Sequence, residues 1–317
     1  MNNPKYFICP ISKNIVDAVI EINSSKFGLI PTRRQIDWNG GYVNGWDTKE
    51  FTNYVKSKSD NIVIGRDHGG EWQGITEDDG KVSYINDLDY FNIIHIDPWK
   101  FYSNQLLDGL ISTEETIKLL YKLNPNVFYE IGTEETIKKF ENVDLNRILK
   151  YLKTSLTNQE FSNIKYVVIQ SGVAIDLVNR KNIGSFDKKR MQEMIDVVKS
   201  FDKKVKEHNG DYLSNEELSI RFDAGIDSIN IGPEIAQIET DIYLQHMNKK
   251  EITEFYKICL ESKKWIRWVN NVNDFDIKDE LSLIKICGHY NYDKLPILND
   301  ITNIIKDTIK IKLNNLP

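Results

Sequence analysis

The run Ile62-Val63-Ile64-Gly65-Arg66-Asp67-His68-Gly69-Gly70 takes a β-branched strand directly into a carboxylate, an imidazole and two glycines. An apolar core tolerates neither Asp nor His without a partner. Where a strand leaves the core, the pair could instead place a proton-transfer group beside a metal ligand. Adjacent side chains on an extended strand point to opposite faces. Both reach one cavity only if the backbone turns, as Gly69-Gly70 would permit. Asp67 would then act as general acid and base, and His68 as a metal ligand. The plain alternative is a strand followed by a polar turn, with Asp67 bridged to Arg66 or capping a loop.

His208 and Glu130 are the preferred partners for His68. Imidazoles and a carboxylate converging from different strands suit a divalent cation, Zn²⁺ first. A catalytic zinc holds three protein ligands and keeps a position for water or substrate. The chain has no HxxxH or HxH spacing, so the inference rests on where the histidines fall in the fold. An anionic substrate would also need donors. Asn39-Gly40-Gly41-Tyr42, Asn209-Gly210 and Ile231-Gly232-Pro233 offer backbone N–H groups to a phosphate, and Arg33 and Arg34 add charged forks. Trp38, Trp46, Trp72, Trp99, Tyr102 and Tyr212 could wall a sugar site or simply pack the loops. The absence of GxGxxG, GxxxxGK[ST] and GxSxG argues against dinucleotide, P-loop and serine-hydrolase chemistry.

The elements that must position these residues follow from hydrophobic period. Short apolar runs at Gly28–Thr32, Asn61–Arg66, Phe91–Asp97, Val127–Gly132, Tyr166–Gly172, Lys203–His208, Ser228–Gly232 and Ser282–Gly288 alternate with amphipathic stretches. The stretches include Thr113–Leu123, Asp187–Asp202, Ser214–Ala224, Glu234–Met247 and Glu251–Ser262, and an extra helix, Lys13–Ser24, precedes the first run. Eight such repeats predict a (β/α)8 TIM barrel with an extra N-terminal helix, a doubly wound sheet being the alternative. No Pro-, Gly- or Ser-rich linker interrupts the chain, so residues 1–317 read as one domain. Barrel enzymes carry their chemistry on the loops after the strands. His68, His95, His208 and His289 all fall at such ends, and only His246 does not.

Composition narrows the class. A net charge of −6 disfavours a nucleic-acid partner. No window approaches a membrane-spanning length of apolar residues. Cys9, Cys259 and Cys287 form no CxxC motif or disulfide framework, and the first residues lack a signal-peptide pattern. The expectation is a cytoplasmic protein.

In this order the residues resemble the tagatose-bisphosphate aldolase Z-subunit family (the GatZ/KbaZ type), related in fold to class II metal-dependent ketose-bisphosphate aldolases. The resemblance is carried by Gln35 with Gly40-Gly41-Tyr42, and by IVIGRDHGGEWQ (62–73), IIHID (93–97), YEIGTEE (129–135), VVIQSGV (167–173), KEHNGDY (206–212) and INIGPEIA (229–236). It implies that Asp67 is the proton donor after the second strand and His68 a zinc ligand. By the same resemblance His208 is a second ligand, Asn230 a substrate contact, and the acidic loop Glu134-Glu135 a proton-transfer element. Arg33, Gln35, Asp97, Asn209, Gly210 and Gly232 complete the expected substrate contacts. The implied activity is cleavage or formation of a phosphorylated ketose from dihydroxyacetone phosphate and an aldehyde.

Two departures stand out. A further family histidine, on the strand before the one ending in His208, is replaced by Gln170-Ser171-Gly172. Either Glu130 or His95 takes its place, or the metal site is degraded. A Pro/Gly-rich insertion after Gly-Thr-Glu is also missing, and Z-subunits are described as non-catalytic partners of a separate aldolase. The alternatives are therefore a supporting subunit, as homo-oligomer or beside a partner aldolase, and a sugar-phosphate epimerase or isomerase.

Overall fold

The computed structural model describes residues 3–269, 275–295 and 301–317. The chain runs β1 (Tyr6–Ile8), α1 (Lys13–Ile22), β2 (Phe27–Leu29), α2 (Thr48–Lys56), β3 (Val63–Gly69), α3 (Lys81–Asp87), β4 (Ile93–Ile96), α4 (Leu106–Leu123) and β5 (Phe128–Ile131). It continues through α5 (Asn142–Ser155), α6 (Asn158–Asn163), β6 (Ile164–Val168) and a small antiparallel hairpin, β7 (Ile175–Asp176) with β8 (Lys181–Asn182). Then come α7 (Lys188–Lys199), β9 (Lys204–Glu207), α8 (Asn215–Ala224), β10 (Ser228–Ile231), α9 (Pro233–His246), α10 (Lys249–Ser262), α11 (Glu280–Cys287) and α12 (Thr302–Asn314).

Eight parallel strands close into a barrel in the order β1-β2-β3-β4-β5-β6-β9-β10, with β10 bonding back to β1. This is the expected (β/α)8 barrel, but its frame is shifted by one strand. Tyr6-Phe7-Ile8, only three residues long and wholly buried, is the first strand. The helix expected to precede the barrel is α1, the first crossover. Its start is set by Ser12, whose hydroxyl accepts the Ile15 N–H at 3.1 Å. The last expected strand, Ser282–Gly288, is helix α11. Leu283, Ile284, Ile286 and Cys287 are its buried residues, and Asp279 caps it by accepting the Ser282 N–H. That spacing makes one helical stripe, packed on α10. A run of four to eight apolar residues cannot be told from a buried helical turn by period alone.

One other helix start is as read, and one is not. Ser214 and Glu217 form a reciprocal capping box on α8. Thr113 instead lies inside α4, its hydroxyl donating to the Gly109 carbonyl at 2.8 Å. Within the barrel, Phe7 and Tyr166 pack edge to face at 6.1 Å. A side chain at Gly28 would strike the Phe7 ring at 2.7 Å, so this strand has to be bare there. No helix among the described residues is long and apolar enough to cross a membrane.

Candidate metal centre

Asp67, His68, His95 and His208 each bring one potential ligand atom into a cluster whose members lie within 4.8 Å of one another. Three strands supply them, and period-two geometry explains the aim. His95 and Asp97, and likewise Lys206 and His208, are two residues apart and share a face. Asp67 and His68 are adjacent and need a different device. The β3–β4 register advances from Arg66↔Ile94 to Gly69↔Ile96, one extra residue on β3, and His68 has φ +45°. This bulge turns both side chains into one cavity. The turn thus falls on His68 itself, one residue before the glycines expected to make it.

Each imidazole is held by its outer nitrogen and presents the other inward. His68 Nδ1 lies 2.6 Å from Asp97 Oδ2. His95 Nε2 donates to the Gly132 carbonyl at 2.9 Å. His208 Nε2 donates to Glu130 Oε1 at 2.7 Å. The inward atoms, His68 Nε2, His95 Nδ1 and His208 Nδ1, all stand 3.8 Å from an Asp67 oxygen. Outer acceptors of this kind fix the tautomer and orientation of metal-binding histidines. His208 Nδ1 is buried and has no hydrogen-bond partner among the described residues. Such an orphaned lone pair is what a cation would satisfy, so the donor set fits a divalent metal.

The electrostatics follow from the same contacts. Burial alone would raise the Asp67 carboxyl, but the surrounding imidazoles outweigh it and hold the group far below the ordinary carboxylate range. Burial opposes charge on His68, yet Asp67 and Asp97 carry it up to about 10. His95 is raised against burial by Glu130 and Asp67. Asp97 Oδ2 is further gripped by Gln73 Nε2 at 3.3 Å and Thr133 Oγ1 at 3.2 Å. Asn230 Nδ2 donates to Asp67 Oδ1 at 3.3 Å, leaving its buried Oδ1 without a partner among the described residues.

Several residues stand elsewhere than expected. Glu130 does not join the cluster. One of its oxygens holds His208, and the other accepts from Lys206 Nζ at 2.5 Å, a fully buried pair. Burial would raise the Glu130 carboxyl, but Lys206 and the histidines lower it to about 2. Asp97 orients His68 instead of lying open to substrate. Ser171, where the resemblance implied a histidine, donates to Glu207, which Arg221 Nε holds at 2.8 Å. His95 supplies the third imidazole instead. Glu134 Oε2 accepts from Asn209 Nδ2 at 2.5 Å, whereas Glu135 is bonded to Arg190 at 2.9 Å.

The expected phosphate donors are likewise engaged. Arg33 forks onto Asp78, both contacts at 2.7 Å, and reaches Asp37 at 2.9 Å. Gln35 Oε1 accepts the Thr32 N–H at 2.8 Å. The Gly210 N–H donates to the Asn230 carbonyl at 2.9 Å, and the Gly232 N–H to Asp211 Oδ1 at 3.0 Å.

His289 follows α11, not a barrel strand, and lies 4.0 Å from the Tyr290 ring at a tilt of 41°, where burial holds it down to about 3. Of the aromatic residues, Trp46 and Trp99 are buried in packing, while Trp38 and Trp72 are exposed. Lys206, Asp211, Gln73 and Thr133 were not singled out for these roles from the sequence. Only Lys206 carried a signal, two residues from His208 on one strand.

No family model matches this chain. No curated protein matches it either. Solved structures do share its fold. A probable tagatose 6 phosphate kinase from Sinorhizobium meliloti aligns with TM-score 0.71 at 15% identity, over 98% of this chain and 93% of that one. A native fructuronate-tagaturonate epimerase from Cohnella laeviribosi gives 0.62 at 10%, over 98% and 80%. A fructose-bisphosphate aldolase from Campylobacter jejuni gives 0.57 at 12%, over 98% and 88%. The chain therefore shares the barrel fold of these structures.

Proposed function

We propose that this chain is a metal-dependent aldolase of the class II type, making or breaking a carbon–carbon bond in a ketose. One observation carries the reading: three imidazoles with locked outer nitrogens surround the Asp67 side chain. His68, His95 and His208 would hold the cation. When bound, a divalent ion, Zn²⁺ by this ligand set, supplies Lewis acidity to a carbonyl and its neighbouring hydroxyl.

Asp67 takes the hydroxyl proton whose loss accompanies bond cleavage, and returns it in synthesis. Its low proton affinity keeps it ionised in the resting site, and Asn230 fixes one of its oxygens. Glu134, anchored by Asn209, would move the proton on the carbon that becomes nucleophilic. The unpartnered Asn230 Oδ1 accepts a substrate hydroxyl.

Two other readings draw on particular observations. The Ser171–Glu207–Arg221 network, where the family has a ligand, favours a Z-type subunit supporting a partner aldolase. The likeness to an epimerase favours proton transfer at a stereocentre by the same groups. We place the chain in the cytoplasm on its free cysteines.

Metal analysis paired with an aldol-cleavage assay on a ketose panel tests the proposal. Stoichiometric metal, lost in His208→Ala but kept in Asp67→Asn, with cleavage lost in both, is the expected result. A metal-free, inactive wild type would overturn it.

A further inference from the structure

We infer that Asp211 is a specificity determinant: it fills the anion seat at the N-terminus of α9, so the centre takes a keto-sugar bearing no phosphate at that end. The inference rests on reading the centre as a ketose site. Free N–H groups at a helix start, together with the helix dipole, make a ready seat for phosphate. Here that start lies directly after β10, two residues beyond Asn230, whose amide touches Asp67. The seat is already taken. Asp211 Oδ1 accepts the Gly232 N–H at 3.0 Å and the Glu234 N–H at 2.7 Å, and the residue is 1% exposed. Glu234, in the first turn of α9, accepts the Tyr212 N–H at 2.8 Å and is paired with Lys312 of α12. A phosphate dianion arriving there would meet two carboxylates and find both N–H groups engaged.

Three other groups suited to phosphate are also committed within the chain. Gly210 donates to Asn230, Asn209 to Glu134, and Arg33 to Asp37 and Asp78. At the centre stand acceptors: the Asp67 carboxylate and, on the amide bonded to it, the Asn230 Oδ1 that has no partner among the described residues. Acceptors recognise hydroxyl groups, which a polyhydroxy ketone supplies in number, whereas a phosphate dianion needs donors.

Calorimetric titration of the metal-loaded protein tests this, using inorganic phosphate, dihydroxyacetone and dihydroxyacetone phosphate as probes. The wild type is expected to bind the two trioses within about threefold of each other and to show no saturable phosphate binding at millimolar concentration. Asp211→Ala opens the helix start and should bind inorganic phosphate at least about tenfold more tightly than wild type. Asp211→Asn keeps an acceptor on both N–H groups but loses the charge, and should gain less than about threefold in phosphate affinity. A wild-type preference for dihydroxyacetone phosphate of about tenfold or more overturns the inference. So does Asp211→Ala with no gain. Should Asp211→Ala not fold, the wild-type ratio and Asp211→Asn decide. Failure of the aldolase reading is separately visible, as absence of cleavage of any ketose while the binding ratios stand.

Discussion

Replacing Lys206 by Met tests how the centre is held from below. Lys206 Nζ lies 2.5 Å from Glu130 Oε2, both side chains are fully buried, and the ammonium sits 4.1 Å over the Phe7 ring. Methionine keeps the apolar stem but removes the charge, leaving Glu130 buried with His208 at 2.7 Å and His95 at 3.9 Å as its remaining partners. Breaking a buried pair on one side costs about 3–5 kcal/mol. The surviving His208 bond and the retained stem place this case near the low end, roughly 3 kcal/mol. Lys206→Met/Glu130→Gln removes both charges, yet the glutamine oxygen can still accept the His208 Nε2–H. It should recover most of the loss.

The pH dependence has a definite sign. The Glu130 carboxyl is depressed from its ordinary 4.5 to about 2, so its contribution is present above pH 4.5 and lost as pH falls toward 2. Without Lys206 that depression weakens, and protonation relieves the buried charge. The gap between wild type and variant should therefore narrow from pH 7 to pH 4. Urea denaturation of the metal-free proteins, followed by tryptophan fluorescence, measures both effects, the single variant's midpoint shifting by about 1 M at pH 7. Wild-type stability in Lys206→Met, or a double variant no better than the single, would refute this account of the pair.

Further outcomes follow from other contacts. Asp97→Asn keeps the shape beside His68 but removes the charge, and should weaken metal binding about 10–100-fold, read by competition with a chelating dye. Asp67→Asn should lower turnover about 10²–10⁴-fold with metal content unchanged. Gly69→Ala would place a Cβ 2.5 Å from the Tyr84 ring and 2.7 Å from the His95 carbonyl. It should lose about 1–3 kcal/mol in denaturant titration and loosen metal binding with it. Burial pushes the Glu239 carboxyl up to about 7, against the pull of bonds from Ser12 and Asn14. A raised acid contributes stability that is complete below its unfolded value and lost as pH rises through 7. Glu239→Gln should remove a decline of order 3 kcal/mol between pH 4 and 8, seen as a flatter Tm profile.

The barrel was legible because βα alternation survives in any single stretch of sequence. Its frame was not, because Tyr6–Ile8 is too short to stand out, while the apolar run in α11 has the length of a strand. His68 and His208 were legible as strand-end histidines. The choice between Glu130 and His95 was not, because it depends on partners from other strands. Glu130 is drawn off by Lys206, and His95 is turned inward by a carbonyl of the β5 loop. Donor groups read as phosphate contacts have partners within the chain that were not legible, for a related reason. A sequence displays an N–H or a guanidinium but not the acceptor that the closed barrel brings to it, such as Asp78 for Arg33 or Asp211 for Gly232.

The bulge at Asp67-His68 joins these observations into one physical requirement. A regular strand would send one of the two side chains outward, against α3, where Arg66 already pairs with Asp87 at 2.7 Å. Forcing both inward puts a non-glycine residue at φ +45°, a strain of roughly 1–3 kcal/mol. The neighbours resist its relaxation from both sides. The Asp67 N–H donates to the Pro31 carbonyl at 2.9 Å, and the His68 N–H donates to His95 Nδ1 at 3.2 Å. The second bond uses the lone pair that His95 would give to a cation, so metal binding must draw this nitrogen away from the His68 amide. Protection of the His68 amide against hydrogen exchange should therefore fall when metal is added, while protection of the Asp67 amide is kept. If both amides become equally more protected, the His68–His95 bond is not the contact that metal replaces.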